Sequence, residues 1–421
     1  RGRGGSVRAC RGGLGAMWQL PARGGLGASI RAAVPRQRRP HYPAQRAAAS
    51  LAARRPALRA PWTSAPPRWA RGLVEVSPDR LEEFLKAEIV YLGQGHSTIS
   101  LETIVEHSKP ETVAKLIHQE LPQRFATRIR QIEELTPDWQ EIPNLRAAHD
   151  VLMHSFRNLR LVDLDASNLD VFTELIREIR SRHRTVVPLY AKAAGALKQS
   201  ASGGAVGDAA IDAWLDTIMR SRVGTEMITA HYIRLLTDPD ENHVGILDTK
   251  CDPARICNEA IQHVKSRFAD AGVNIGLRVE QPDIEFSFIS KYLFLIVEEL
   301  LMNSVCATLA RSARRGESPK DINVLVCEDP RRIGIKISDE GGGVPVEHTE
   351  KIWEYSFSTT PADLEEHQTE ASPLSGSGMG LPLCRIYTQY LGGSLHLMSM
   401  PGVGTDVYMF LNRIDAGHAA E

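Results

Sequence analysis

The sequence predicts a two-part protein, in which an all-helical half is followed by an α+β half. Apolar residues recur at helical spacing over most of residues 77–237, where almost nothing alternates with a period of two. After residue 240, short β-type runs alternate with helical patterns. The chain has 421 residues, which suits two domains because single hydrophobic cores seldom grow past a few hundred residues.

The helical half contains long amphipathic stretches at about residues 110–135, 144–160, 167–186 and 208–237. They are separated by breaks at residues 136–138, at 161–166 and in the Gly/Ser-rich 199–207. Short connections of this kind place neighbouring helices antiparallel. We therefore predict an all-helical bundle of the four-helix type over residues 73–240.

The second half, residues 241–415, has the pattern of an α/β sandwich and is followed by a short tail at 416–421. The β-type runs lie at residues 274–279, 323–327, 334–338, 394–398 and 405–411. Helical patterns lie between them, at residues 253–269, 288–310 and 379–391. Strands with hairpin-like spacing near the end predict a mostly antiparallel sheet with helices on one face.

Residues 1–72 form a leader of different composition. Residues 1–74 contain fifteen Arg, no Lys and no acidic residue, although the whole chain has a net charge of −1. The leader is also poor in large apolar residues, so it cannot form a core. An Arg-rich, acid-free N-terminus is typical of a mitochondrial or chloroplast transit peptide. The alternative is a basic tail that binds nucleic acid or an anionic surface, but nucleic-acid-binding tails usually contain Lys as well, and we predict no nucleic-acid partner.

Two further classes of protein are disfavoured by the sequence. The longest apolar run, residues 292–310, is interrupted by Glu298, Glu299 and Asn303, so we predict no membrane span. The chain has six Cys without any C-x2-C spacing, which argues against a zinc site.

A first polar motif, Glu299 and Asn303, lies on the predicted helix 288–310. Residues four apart share a helix face, so the two side chains project together. An amide oxygen can bind Mg²⁺ while a neighbouring carboxylate accepts a proton. By itself such a pair is more often a solvated helix edge. The apolar stripe beside the motif consists of Leu293, Ile296, Val297, Leu300 and Leu301.

A second motif, Asp339 followed by Gly341, Gly342 and Gly343, comes directly after the predicted strand 334–338. A carboxylate at a strand end can accept a hydrogen bond from an exocyclic amine such as that of adenine. The glycines allow the backbone to approach a base and sugar closely. The alternative for this motif alone is an ordinary glycine turn.

A third motif, Gly376–Pro382, opens the predicted helix 379–391. Glycines at a helix start present free N–H groups and the positive helix end to a phosphate. The preceding residues 361–375 are polar and acidic, as expected of a long loop that covers a ligand. A fourth element, residues 402–406, places the Thr405 hydroxyl before the last strand.

In this order, the four elements resemble the GHKL ATPase superfamily, whose N box and two glycine boxes match Glu299–Asn303, Asp339–Gly343 and Gly376–Gly380. The resemblance implies a Bergerat ATP-binding fold for the second half. The sequence has no GxxxxGK[ST] phosphate loop and no HRD/DFG pair, so it fits neither of the commonest kinase architectures.

Within that superfamily the chain resembles the mitochondrial α-keto acid dehydrogenase kinases, which act on pyruvate or branched-chain dehydrogenases. In the second half, the resemblance rests on Ser358-Thr359-Thr360 and on Gly380-Leu381-Pro382. In the helical half, it rests on Gln119–Arg124, Arg182–Pro188 and Ser221–Gly224. It covers roughly residues 73–415 and agrees with the transit-like leader.

The resemblance implies phosphoryl transfer from ATP to a serine of the dehydrogenase E1α subunit in the mitochondrial matrix. Glu299 would be the general base, His183 would pair with it, and Asn303 would hold Mg²⁺. Asp339 and Thr405 would bind the adenine. The ATP-binding residues expected from the resemblance are Asn303, Asp339, Gly341, Gly343, Ser358, Thr359, Thr360, Gly376, Ser377, Gly378, Met379, Gly380, Leu381 and Thr405.

The resemblance also implies further ligands and partners. Backbone carbonyls of Ile352, Glu354 and Phe357 match those that hold K⁺ in the family. A lipoyl-bearing E2 subunit and a second copy of the chain are the expected partners. The short tail leans toward the branched-chain type, but the target stays open between the pyruvate and the branched-chain dehydrogenase.

Two departures from the family pattern keep other functions open. Met302 and Cys306 stand where the family usually has Lys and Arg, which leaves room for a nucleotide-binding scaffold without full activity. The other alternative is a two-component histidine kinase, with His118, His149 or His231 as the phosphoacceptor.

Overall fold

The computed structural model describes residues 77–93, 101–165, 168–200, 207–237, 241–281, 283–358 and 378–413. The predicted leader, the acidic residues 361–375 and the tail at 416–421 lie outside these ranges. Within them, the chain is helical up to residue 237 and mixes strands and helices from residue 243 onward. The predicted fold class is confirmed.

The helical half is built around helix α3, which packs against α1, α4 and α7. Val113, Ile117 and Leu121 of α3 are fully buried, and their spacing of four residues puts them on one face of the helix. The helices of this half are α1 (Pro78–Leu92), α2 (Leu101–Glu106), α3 (Pro110–Glu133), α4 (Pro143–Leu161), α5 (Asp170–Arg182), α6 (Val186–Ser200) and α7 (Asp208–Thr237).

Helix α6 was not among the predicted stretches. The predicted helix 167–186 ends as α5 at Arg182, and a 3₁₀ turn at His183–Thr185 leads directly into α6. Pro188 lies in the first turn of α6, where a missing N–H costs no intrahelical hydrogen bond. A proline within a helical pattern usually signals a stop, so the sequence pattern concealed this helix.

The second half contains a five-stranded sheet of order β3-β5-β6-β8-β7 and a three-stranded sheet of order β1-β2-β4. In the larger sheet all neighbours are antiparallel except β3 and β5. The smaller sheet was not predicted, because its strands are too short to show a period of two. The strands are β1 (His243–Val244), β2 (Leu247–Cys251), β3 (Ile275–Val279), β4 (Phe286–Phe288), β5 (Ile322–Glu328), β6 (Arg332–Asp339), β7 (Ser394–Met400) and β8 (Gly404–Asn412).

Within the described residues, this half also contains helices α8 (Pro253–Arg267), α9 (Ser290–Arg315) and α10 (Gly380–Tyr390). The strand β6 alternates as a half-covered strand should, with Ile333, Ile335 and Ile337 buried. Helix α9 packs against β6 and lies between α8 and α10, because it contacts all three. The core of the second half therefore surrounds α9.

Helix α9 is long and apolar enough, by length and composition, to cross a membrane. The polar residues Glu298, Glu299 and Asn303 do not make the helix polar enough to exclude a membrane span by composition. In the structure, 67% of its most apolar 18-residue stretch is buried inside the protein. Burial as the core helix of a folded domain accounts for its composition.

The two halves meet where α7 packs against α10. Glu226 of α7 accepts hydrogen bonds from Arg222 Nη1 at 3.0 Å and from the Tyr387 hydroxyl of α10 at 3.1 Å. Burial alone would raise the pKa of Glu226, but the Arg222 charge and the Tyr387 hydrogen bond outweigh it, and the pKa is lowered. A side chain at Gly224 would overlap the Tyr390 hydroxyl, so glycine permits this close contact.

We predict that Glu226→Ala lowers the free energy of unfolding by about 3 kcal/mol, because it leaves Arg222 buried without its carboxylate. The contribution of Glu226 should be fully present above the ordinary carboxyl pKa of about 4.3 and lost as the pH falls through its lower folded value. Urea unfolding of both proteins between neutral and acidic pH measures this. Glu259→Ala, which breaks the exposed pair with Arg255, is the control and should cost less than about 1 kcal/mol. Equal losses in the two variants would contradict the prediction.

Candidate nucleotide-binding site

One cavity of about 1380 Å³ brings the three predicted motifs together. Helix α9, the end of β6, the start of α10 and the start of β8 form its walls. The predicted residues that line it are Glu299, Asn303, Asp339, Gly341, Gly343, Ile352, Phe357, Ser358, Gly378, Gly380, Leu381 and Thr405.

Helix α9 contributes Glu299 and Asn303 to the cavity. Glu299 is only 3% exposed, whereas Asn303 is half-buried. The first residue of α10, Gly380, lies directly against Glu299, and a β-carbon at this position would overlap the glutamate carboxylate. A glycine is therefore required for the start of α10 to approach the acidic side chain.

Asp339 occupies the end of β6 and is 9% exposed. Ser304 Oγ donates a hydrogen bond to its Oδ2 at 3.1 Å, and the Gly341 N–H donates to its Oδ1 at 2.8 Å. Burial raises the pKa of Asp339, and these hydrogen bonds oppose the shift only in part. The carboxylate is thus a buried acceptor with a fixed orientation, which suits recognition of an amine.

The glycine loop after Asp339 is held close to its neighbours. Gly343 has φ +70°, and a side chain there would overlap the Met400 carbonyl. A β-carbon at Gly341 would lie 2.7 Å from the Ala307 β-carbon of α9. The loop can adopt this path only with glycine at these positions.

Thr405 faces Asp339 directly in the β6–β8 register. Its hydroxyl lies 3.0 Å from Ser399 Oγ, which accepts a hydrogen bond from the Val344 N–H at 2.7 Å. Two serines that contact the predicted residues were not predicted: Ser304, which lines the cavity, and Ser399, which does not. Ser304 follows the Asn303 of the first motif, but nothing in the sequence links Ser399 to Thr405, because only strand pairing brings them together.

The third motif is described from Gly378 onward. Gly378 has φ +67°, and its carbonyl accepts a hydrogen bond from the Ser356 N–H at 3.1 Å. Met379 is buried and does not line the cavity, so its contribution to ATP binding stays a prediction. Thr359, Thr360, Gly376 and Ser377 lie outside the described residues.

His183 lies within the helical half, where its Nε2 is 2.9 Å from Ser155 Oγ and its ring packs against Phe125. Burial, with the nearby charges of Arg128 and Arg222, lowers its pKa well below the ordinary value. The buried ring is therefore neutral at physiological pH. It does not line the cavity that contains Glu299, so the proposed pairing of the two residues stays a prediction.

The two departures from the family pattern have different environments. Met302 is fully buried and belongs to the hydrophobic core, whereas Cys306 lines the cavity. Positively charged side chains from later turns of α9 line the cavity, namely Arg311, Arg314 and Arg315. Arg311 Nη1 donates to the carbonyl of Glu340 and, at 2.6 Å, to that of Val403.

Two of the candidate phosphoacceptor histidines, His231 and His149, are held by contacts within the helical half. His231 is 1% exposed, and its Nε2 is 2.8 Å from the His107 carbonyl. His149 is paired with Glu133 at 3.0 Å and packs against Trp139. These contacts give no support to that alternative.

Comparisons with known proteins agree with this geometry. Residues 98–248 match the family described as mitochondrial branched-chain alpha-ketoacid dehydrogenase kinase. Residues 289–414 match the histidine kinase-, DNA gyrase B- and HSP90-like ATPases.

Individual relatives are mitochondrial kinases of the pyruvate type. A mitochondrial [pyruvate dehydrogenase (acetyl-transferring)] kinase of Arabidopsis thaliana is 30% identical over 311 residues, 72% of this chain and 84% of the relative. Isozyme 3 of the human enzyme is 29% identical over 340 residues, 76% of this chain and 84% of the relative. The Schizosaccharomyces pombe enzyme is 33% identical over 257 residues, 58% of this chain and 59% of the relative.

The fold and the cavity define an ATP-dependent protein kinase of the GHKL superfamily. The helical half and the similarity along most of the chain are specific to one branch of that superfamily. The protein belongs to the mitochondrial α-keto acid dehydrogenase kinases.

We predict that Asp339→Asn weakens ATP binding about tenfold or more, because a hydrogen bond to a charged group contributes about 1.5–3 kcal/mol. Inosine triphosphate lacks the exocyclic amine, so its affinity should change much less, and the variant should discriminate poorly between the two nucleotides. Calorimetric titration with each nucleotide measures this. Asp329→Asn, in the turn between β5 and β6, is the control. A variant that still prefers ATP as strongly as the parent would contradict the assignment.

Proposed function

We propose that this kinase transfers the γ-phosphoryl group of Mg-ATP to a serine of the E1α subunit of an α-keto acid dehydrogenase in the mitochondrial matrix, which inactivates it. The observation that carries this proposal is the buried Glu299 at the junction of α9 and α10. It lines the cavity against Gly380 at the start of α10, and the proposal has the nucleotide phosphates bind at this helix start. Family membership supplies the class of acceptor.

In the proposed reaction, the Glu299 carboxylate accepts the proton of the serine hydroxyl as the serine oxygen attacks the γ-phosphorus. The bond from the γ-phosphorus to the bridging oxygen breaks, and ADP leaves. The start of α10, with Gly378, Gly380 and Leu381 at the cavity wall, presents backbone N–H groups to the phosphates. Such fixed donors stabilise charge without reorganising during the reaction.

Asn303 fits the role of an Mg²⁺ ligand because it offers an amide oxygen to the cavity on the same helix face as Glu299. Within the described ranges, no group of three or more His, Cys, Asp or Glu side chains could hold a metal alone. Mg²⁺ usually takes one or two protein ligands and completes its shell with phosphate and water. When bound, it would neutralise charge on the phosphates.

The K⁺ proposal rests on Ile352, Glu354 and Phe357. Ile352 and Phe357 line the cavity, and Glu354 lies between them, after the 3₁₀ turn Lys351–Trp353. The position of this segment at the cavity wall supports a cation that orders it. ATP affinity measured in KCl and in NaCl of equal strength tests the proposal, and equal affinities would contradict it.

Two exposed apolar surfaces support the proposed protein partners. On α1, Phe84 and Tyr91 are 51% and 76% exposed and lie on one helix face, as expected of a docking site for the lipoyl-bearing E2 subunit. On the edge strand β7, Met398 and Met400 are 65% and 63% exposed, which favours a second copy of the chain at this edge. Sedimentation velocity, with and without an isolated lipoyl domain, tests both. A kinase that sediments as a monomer and does not bind the lipoyl domain would contradict both proposals.

The supporting comparisons disagree about which dehydrogenase is the target. The helical half matches the branched-chain description, whereas the individual relatives are pyruvate enzymes. Incubation of the purified kinase with ATP and each E1 complex, followed by detection of acid-stable phosphoserine, separates the two. Acid-labile phosphate on the kinase itself would favour the histidine kinase alternative instead.

We predict that Glu299→Gln retains ATP binding but loses most phosphoryl transfer, about 10²–10⁴-fold, because an amide cannot accept the serine proton. Binding is followed by calorimetry and transfer by labelling of E1α. Glu280→Gln, an exposed residue after β3, is the matched control and should keep full activity. Normal turnover in Glu299→Gln would refute its role as the base. Adding His183→Gln to each of these variants and measuring phosphoryl transfer tests whether His183 contributes to transfer through Glu299.

We predict that Asn303→Ala abolishes the part of ATP affinity that depends on Mg²⁺ and leaves the weak, metal-free binding in place. The measurement is calorimetric titration of ATP with Mg²⁺ and with a chelator. Asn323→Ala on the open face of β5 is the control. An unchanged Mg²⁺ dependence in Asn303→Ala would show that the metal is held elsewhere.

A further inference from the structure

An ion pair of the helical half holds a backbone segment of the ATP site. Lys198, near the end of α6, donates from Nζ to both carboxylate oxygens of Asp212 on α7, at 2.8 and 3.0 Å. The same Nζ donates to the Tyr355 carbonyl at 2.8 Å, and the Tyr355 N–H donates to Asp212 Oδ1 at 3.2 Å. Both polar groups of one backbone residue are therefore bonded to this pair.

The pair is largely shielded from solvent. The Lys198 and Asp212 side chains are 16% and 19% exposed. The Tyr355 ring is 2% exposed, and its hydroxyl lies 3.4 Å from Asp216 of α7, one turn after Asp212. Shielding from water strengthens such contacts. The backbone N–H and carbonyl of Tyr355 are therefore held firmly by the helical half.

Tyr355 lies within a segment of the second half that contributes to the cavity wall, although Tyr355 itself does not line the cavity. Its neighbours Ile352 and Phe357 line the cavity, and Ser358 follows them there. The next residue, Ser356, donates its N–H to the carbonyl of Gly378, at the start of α10, at 3.1 Å. The segment 352–358 therefore connects the bundle to the glycines at the phosphate end of the site.

The conformation of this segment requires external support. Ser356 has φ +65°, a left-handed conformation that residues other than glycine seldom adopt. Such conformations persist where surrounding contacts determine them. On one side the support is Gly378, and on the other it is the pair Lys198–Asp212.

We propose that Lys198 and Asp212 are positioning residues for the ATP site, because their ion pair fixes the Tyr355 backbone and thereby the cavity residues on either side of it. Neither residue lines the cavity, so both act through the segment 352–358. The proposal rests on ATP binding alone and does not depend on the identity of the phosphorylated subunit.

The competing explanation is that the pair only stabilises the fold. Removing one partner of a shielded ion pair destabilises a protein in either case, so a lower melting temperature does not discriminate. ATP affinity of the folded protein does, because a purely stabilising pair would leave the cavity wall in place once the chain is folded.

The test compares Lys198→Met with Lys192→Met, an exposed lysine on the same helix. Circular dichroism at the titration temperature shows that each variant is folded, and calorimetry gives the Mg-ATP affinity in the absence of any dehydrogenase. We expect about a tenfold loss for Lys198→Met, from the charged hydrogen bond to the Tyr355 carbonyl, and none for Lys192→Met. Lys198→Arg, which can still donate to both acceptors, should recover most of the affinity.

Unchanged ATP affinity in folded Lys198→Met would overturn the proposal, as would an equal loss in Lys192→Met. If Lys198→Met does not fold, Asp212→Asn takes its place, since its amide oxygen can still accept from the Tyr355 N–H. We then expect a smaller loss of about threefold, and an unchanged affinity overturns the proposal. Because no E1 subunit is present, failure of the proposed substrate would not affect either result.

Discussion

The structure depends on the burial of helix α9. It lies between α8, α10 and β6, so nearly all of its sides must be apolar, yet the same helix presents Glu299 and Asn303 to the cavity. Burying a carboxylate such as Glu299, which is 3% exposed, costs free energy unless hydrogen bonds or opposite charges offset it, and such groups cluster at functional sites. Close packing around Glu299 also requires glycine at the start of α10, since only a residue without a side chain can lie against the glutamate.

The helical half supports the ATP site through contacts at two places. At the first, Glu226 joins Arg222 of its own helix to Tyr387 of α10, so the helix whose start lines the cavity is anchored to α7. At the second, Lys198 and Asp212 bind the Tyr355 backbone. Helices α6 and α7 therefore hold both α10 and the segment 352–358, which contribute to the cavity wall, so a change in the packing of these two helices would alter the cavity.

The site illustrates how much could be predicted from sequence. Glu299 and Asn303 are close in the chain and share a helix face by periodicity alone, and each glycine motif adjoins a strand or helix end that the pattern predicts. Ser399 and Arg311 could not be found in this way, because Ser399 reaches Thr405 only through strand pairing and Arg311 joins two loops that are remote in sequence. Pairing of His183 with Glu299 is expected from the resemblance and stays a prediction, and the ring of His183 contacts Ser155 and Phe125.

By itself the sequence determined the division into a helical and an α+β half, the order of the nucleotide motifs and the family, because these follow from local periodicity and from residues adjacent in the chain. Only the tertiary structure decided that Met302 is a core residue while Cys306 faces the cavity, that Pro188 lies in the first turn of a helix, and that Lys198 and Asp212 reach Tyr355. These outcomes depend on which faces of α6, α7 and α9 pack against other elements. Packing between segments more than a hundred residues apart leaves no periodic trace in the sequence.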